Sequence, residues 1–259
     1  MTDTPLLTES ANGVLTLTLN APALRNSMAA PGLREALRAA VEDFARDPAL
    51  HVLVLTGAGG VFSAGGDLRA LRQLDAAALR DRLAEGAWLY RRLVMGEKPV
   101  ISAVEGPAYG AGLGLAIAAD TVVAADGARF CSAFVRVGAM PDAALFWSLP
   151  SRVGQAKARD MMLYGEEVGA EEALRIGLVD RLAPRGGALA AAQALARRLA
   201  AGPALAIRRI KTTIRHAPMS FEQALQAELD NAPALFATED FREGAAAFLE
   251  KRPPVFRGR

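Results

Sequence analysis

The stretch EGPAYGAGLGLAIAAD at residues 105–120 decides the fold once it is set beside SAGGDL at residues 63–68. Each glycine-dense turn follows an apolar run of strand character and leads into a run of helical character. HVLVLTG (51–57) precedes the first turn and PVISAVEG (99–106) enters the second. The continuous apolar run of HVLVLTG, ended by glycine, is the pattern of a strand covered on both faces. After the second turn GAGLGLAIAAD reads as a short helix, TVVAA (121–125) as a strand and ARFCSA (128–133) as another. Strands alternating with helices predict an α/β fold built on a parallel sheet with right-handed crossovers.

Outward from these turns the same periodicities continue. GVLTLTLN (13–20) places Leu15, Leu17 and Leu19 on one side and Thr16 and Thr18 on the other, which predicts a half-buried strand. GLREALRAAVEDFARD (32–47) carries Leu33, Leu37, Val41 and Phe44 at amphipathic-helix spacing, and a long helical pattern with Trp88, Leu89 and Leu93 follows SAGGDL. Beyond about Gly186 the strands stop and four helical segments follow. One is opened by Ser220 with Gln223 in capping-box spacing, and another is entered at Thr238. The expected organisation is a core over residues 1–186 that holds the site and a helical region over 187–259 suited to packing against other subunits.

Composition removes several classes of function. With 259 residues, 52% of them apolar, and a net charge of +2 without long like-charge runs, neither nucleic acid nor a membrane surface is an expected partner. Cys131 is the only cysteine, which excludes an intrachain disulfide framework and fits a reducing compartment. MTDTPLLTES lacks the pattern of a secretory leader, and the longest apolar run, near LGLAIAA, is too short for a membrane span, so a cytoplasmic protein is expected. GAGLG lacks the last glycine of GxGxxG, no GxxxxGK[ST] occurs, and His51 and His216 are the only histidines. No nucleotide cofactor, serine-hydrolase triad or metal site is therefore predicted. What remains is main-chain chemistry: two glycine turns whose uncovered N–H groups could meet at one oxyanion. Either turn alone is as well explained as a tight turn.

Taken in order, VFSAGGDL, VEGPAYGAGLGLAIAAD, FCSAFVRVGAMPD, LPSRVG and DFREGAAAFLEKRPPVFRGR resemble the enoyl-CoA hydratase/isomerase family, the crotonase superfamily, over nearly the full length. The nearest branch is the single-carboxylate isomerases of phenylacetate-pathway type. The resemblance implies a spiral of strand-strand-helix turns, a C-terminal helical part used in homotrimers or dimers of trimers, and an acyl-CoA substrate with coenzyme A as part of it and no separate cofactor. It places the thioester oxygen on the amides of Gly66 and Ala111. Ala111 stands where many members have glycine, which is harmless if its φ is negative.

Family hydratases use two glutamates, and the matching positions here are Gly114 and Phe134, neither of which moves protons. Asp142 matches the single acid of the isomerase branch; its alternative reading is the N-cap of a helix over 143–149. Burial among Phe134, Phe146 and Trp147 would raise its pKa, and a helix start would lower it. Ala143, Ala144 and Leu145 replace the Gly-Gly pair usual after the acid and add bulk beside the acyl pocket. For the coenzyme arm the resemblance implies Arg25 at a phosphate, Ala64, Asp67 and Leu68 on the adenine side, and Lys251 reaching a neighbouring subunit's ligand. Three readings follow: an isomerase acting through Asp142, a hydratase or other enolate-forming enzyme using a carboxylate such as Glu85 or Asp75, and a non-catalytic acyl-CoA binder.

Overall fold

The structure, a computed structural model, describes residues 4–259. The first three residues of the MTDTPLLTES opening, on which the expectation of no secretory leader partly rests, lie outside them. The chain enters through a hairpin of β1 (Leu6–Ala11) and β2 (Val14–Leu19), joined by Asn12 and Gly13 with φ of 51° and 75°. Both linking residues take positive φ, as the right-handed twist of a two-residue hairpin demands. Then come α1 (Leu33–Arg46), β3 (Val52–Gly57), the short α2 (Leu68–Leu71), α3 (Ala76–Met95), β4 (Val100–Val104), β5 (Pro107–Tyr109) and α4 (Ala111–Ile117). Next follow β6 (Thr121–Ala125), β7 (Arg129–Cys131), α5 (Leu145–Tyr164), β8 (Glu167–Gly169), α6 (Ala170–Arg175) and β9 (Arg181–Ala183). The chain closes with α7 (Ala188–Ala200), α8 (Ala204–Ile214), α9 (Phe221–Phe236) and α10 (Glu239–Glu250). No helix among the described residues is long and apolar enough to cross a membrane.

The main sheet has strand order β1-β2-β3-β4-β6-β9 and is parallel apart from the β1 edge. A second sheet, β5-β7-β8, branches from it and carries the turn that opens α4. Period-two alternation divides the core. Leu15, Leu17, Leu19, Leu53 and Leu55 face one layer with α1, while Val14, Val52, Val54, Ile101 and Val123 face the other with α7. Ala188, Ala192 and Ala196 recur every fourth residue along α7 and are fully buried, so the helix lies close on the sheet.

Two expectations change at this helix. β2 is covered on both sides, not half-buried: Thr16 is buried and its hydroxyl oxygen accepts from Gln193 Nε2 of α7 at 3.4 Å. The helical region expected to begin at residue 187 also opens with a helix that belongs to the sheet's own core, and the outlying helices start with α8. They are anchored by the buried Lys211, whose Nζ donates to Leu93 O and Lys98 O, both at 2.9 Å, and pairs with Asp120 Oδ2 at 2.7 Å.

Candidate active site

The two glycine turns meet. Phe62 and Ser63 both donate to Pro107 O, Tyr109 N donates back to Ser63 O at 2.9 Å, and a parallel bridge pairs Ser63 with Ala108. The approach leaves no room for side chains. A Cβ on Gly112 would lie 2.2 Å from Ser63 O, and one on Gly65, whose φ is +81°, would lie 2.6 Å from Tyr109 O and 2.8 Å from Ala111 N. Glycine is required at 112 by contact, and at 65 by contact and conformation together.

A buried polar scaffold fixes the first turn from behind. Asn26 accepts from Ala21 N at 2.9 Å and donates to Ala58 O and Val61 O at 2.9 and 2.6 Å. Ser63 Oγ donates to Asn26 O at 2.8 Å and accepts from Gly65 N at 3.1 Å, while Ser27 Oγ and Met28 N both donate to Gly65 O. With these bonds made, the N–H groups of Gly66 and Ala111 still donate to no protein acceptor among the described residues. Ala111 is the first residue of α4 and has no positive φ, so its methyl group costs nothing at this position. The uncommitted amides therefore belong to turns in direct contact, as a shared oxyanion site requires.

The acid departs from one of its two expected readings. The helix foreseen to open at residue 143 opens at Leu145, and its N-cap is Ala144, without a side-chain cap bond. Asp142 caps nothing. Its main-chain oxygen accepts from Leu145 N at 3.0 Å, and its Oδ1 is buried with no partner. Burial raises the carboxyl above the usual carboxylate range, and the positive charge of Arg34 pulls the other way. Of the aromatic residues expected around it, Phe134 packs on the core and approaches Gly110, whereas Phe146 and Trp147 are exposed.

Of the two family glutamate positions, 114 is closed for steric reasons and 134 is filled by a phenylalanine. A Cβ on Gly114 would lie 2.5 Å from both the Cβ and the carbonyl oxygen of Ala143, so the turn carrying Asp142 occupies that space. At the other position the Phe134 ring would lie 3.7 Å from a Cβ on Gly110. Asp75, an alternative acid, is committed as the N-cap of α3, accepting from Ala78 N at 2.8 Å, and Glu85 is exposed on the same helix.

The expected coenzyme residues gather at the first turn, apart from one. Exposed Arg25 accepts at its main-chain oxygen from Ala64 N at 2.9 Å, so the Ala64 amide is already used. Asp67 caps α2 through Arg69 N at 2.9 Å, and Leu68 is exposed beside it. Lys251 is exposed at the end of α10, with no hydrogen bond to the turn among the described residues.

Three polar residues beside the site went unread in the sequence. Tyr90 of α3 donates to Ala111 O at 3.4 Å, and burial, then the charge of Asp142, push its phenol up. Arg34 of α1 donates through Nε to Met28 O at 2.8 Å, tying it to the scaffold of the first turn. Arg82 of α3 has a buried Nε with no partner. The available signal was positional: Arg34 is next to Leu33, and Tyr90 next to Leu89, both on the buried faces of their helices.

A family model described as Enoyl-CoA hydratase/isomerase matches residues 9–259. The chain is 39% identical over 259 residues to the 2,3-dehydroadipyl-CoA hydratase of Escherichia coli K12, covering 98% of this chain and 99% of that protein. It is 36% identical over 260 residues to the 1,2-epoxyphenylacetyl-CoA isomerase of the same organism, covering 98% of each. A solved structure of enoyl-CoA hydratase from Bacillus anthracis superposes with a TM-score of 0.94 at 27% identity, over 99% of this chain and 100% of that one.

Proposed function

The chain belongs to the enoyl-CoA hydratase/isomerase family and has the crotonase fold, and from that premise we propose that it moves an enoyl-CoA double bond between the β,γ and α,β positions, with Asp142 as the proton carrier. Removing a proton from the α carbon of a β,γ-enoyl thioester leaves an electron pair that spreads onto the carbonyl oxygen as a dienolate. The Gly66 and Ala111 amides stabilise that oxygen, and each well-placed donor is worth ~10²–10³ in rate. The Asp142 carboxylate takes the α proton, holds it as the carboxylic acid and delivers it to the γ carbon. The double bond then stands between α and β, with no atom gained or lost.

The observation that carries this reading is the buried, uncommitted Oδ1 of Asp142. A carboxylate held for structure would be spent on a cap or an ion pair, whereas a buried one without a partner, its pKa raised by burial, is free to take and return a proton. Asp142→Ala is expected to lower kcat by ~10²–10⁴ with a smaller change in acyl-CoA binding. Unchanged isomerase turnover in that variant removes the mechanism.

Hydration is the second reading, supported by the 39% identity to a hydratase. It requires another carboxylate to activate water, because Gly114 and Phe134 occupy the usual glutamate positions. Heavy oxygen from solvent appearing in the product selects hydration. Binding of crotonyl-CoA with neither turnover nor proton exchange at its α or γ carbon selects a non-catalytic binder.

The coenzyme arm is assigned to the surface beside Arg25, Ala64, Asp67 and Leu68, with Lys251 supplied to a neighbour's ligand. A homotrimer, alone or paired into a hexamer, covers the apolar surface of the last helices, where Leu229, Phe236, Phe248 and Leu249 are exposed. Burial of such a surface between subunits is the ordinary source of oligomer stability.

A further inference from the structure

We propose that Arg34 and Arg82 form an anion subsite beside Asp142 and the first glycine turn, so that the preferred substrate is an acyl thioester whose tail ends in a carboxylate; this rests on these turns forming an acyl-CoA site. The two guanidiniums come from facing helices, α1 and α3, which pack on each other beside Tyr90 and Asp142. Neither enters an ion pair among the described residues. Among the described residues the Arg34 side chain makes one hydrogen bond, through Nε to Met28 O, and that of Arg82 makes none, leaving the terminal nitrogens of both without a partner there. Both residues are half-buried.

Two like charges in a partly desolvated position are unfavourable unless a counter-charge joins them. The nearby carboxylates do not fill that role: Glu35 and Glu85 are exposed, and Asp142 pairs with neither arginine. Burial, and then the like charge of Arg82, weaken the hold of Arg34 on its proton, and Tyr90, Glu35 and Glu85 oppose them. The planar fork of a guanidinium matches the two oxygens of a carboxylate, and a pair of forks can hold one from two sides. Arg34 is joined through Met28 to Gly65 of the oxyanion turn, so an anion held there has a fixed position relative to the thioester oxygen.

The test is calorimetric binding to the intact protein, with glutaryl-, adipyl- and suberyl-CoA each set against pentanoyl-, hexanoyl- and octanoyl-CoA. At the best chain length the carboxylate-ended ligand is expected to bind roughly ten- to hundredfold more tightly than its neutral counterpart. Arg82→Gln should bring that ratio close to unity, and Arg82→Lys should retain part of it. Because the readout is a ratio, a general loss of affinity cancels. A ratio of one at every length in the wild type overturns the subsite, as does a ratio that Arg82→Gln leaves intact. Equal weakening by Arg82→Gln of both ligand classes and of free coenzyme A assigns the arginines to the coenzyme phosphates and also overturns it. If no acyl-CoA binds at all, the acyl-CoA reading falls and takes the subsite with it.

Discussion

Two turns border the same reaction space and obey different rules. At Gly65 and Gly112, in the two glycine turns, backbone meets backbone, and the place of a Cβ is already occupied by a carbonyl oxygen or an amide. At residues 143 and 144 the chain takes φ of +54° and +58° without a glycine. A left-handed L-residue costs about 1–2 kcal/mol, which a fold tolerates far more readily than overlapping atoms. The space for the Ala143 methyl comes from the helix beneath, where Gly114 has no side chain. The glycine turns thus present amides and leave no room for a side chain at 65 and 112, while the alanine turn presents the acid and takes the room that a hydratase's glutamate would need.

The largest test breaks the first contact. Gly112→Ala would put a methyl 2.2 Å from Ser63 O, so the turns must separate. Turnover should fall by ~10²–10³, the worth of one oxyanion donor, and stability by about 1–3 kcal/mol. Wild-type turnover in a folded Gly112→Ala variant would mean that the contact between the turns does not position the amides. Next in size is Gly114→Glu, which returns the family carboxylate to its usual place. It should destabilise by about 1–3 kcal/mol and create no hydratase, because the Ala143 turn blocks the side chain. Adding Ala143→Gly removes the methyl obstacle but leaves the Ala143 carbonyl oxygen, also 2.5 Å away, so stability in a urea titration should recover only in part.

This contrast was only half visible in the sequence. The strand runs of β2, β3 and β4 and both glycine turns follow from periodicity, and the box at Ser220 and Gln223 forms as its spacing dictates. Burial of Thr16 was hidden because the covering helix, α7, lies far away in the chain, and alternation within one strand cannot report a distant partner. The helix start after Pro141 was misplaced because Asp142 has ordinary cap chemistry, and no local rule predicts two left-handed alanines behind it. Arg34, Arg82 and Tyr90 come together only when α1 packs on α3, so their proximity belongs to tertiary structure.

A smaller effect separates the acid from the amides by pH. The folded-state pKa of Asp142 is raised by burial, so the native protein binds more protons than the unfolded chain between the ordinary value and the raised one. Wild-type stability therefore falls as pH rises through that window, and the cost is fully present above it. Asp142→Asn should be more stable than wild type at neutral pH, and the difference should vanish as pH falls below the ordinary carboxylate range. Urea midpoints across that range measure it. An Asn variant less stable at every pH would show the carboxylate to be a structural partner after all. The acid limb of kcat/KM should likewise lie above the pH at which an exposed aspartate titrates.

The smallest effect tests the strain itself. Ala144 is the N-cap of α5 at φ +58° and ψ +16°, and its side chain makes no cap bond. Glycine there would relieve the left-handed penalty of about 1–2 kcal/mol but give back about 0.4–1 kcal/mol through the greater freedom of the unfolded chain. The net should be a gain of roughly 0.5–1 kcal/mol, read as a higher urea midpoint at unchanged m-value. Ala144 suits this measurement better than Ala143, whose methyl meets the space above Gly114. If Ala144→Gly stabilises the fold but lowers turnover, the strained alanines hold Asp142 in its working position. If it stabilises and leaves turnover alone, the turn needs only its shape, and glycine supplies that shape with less strain.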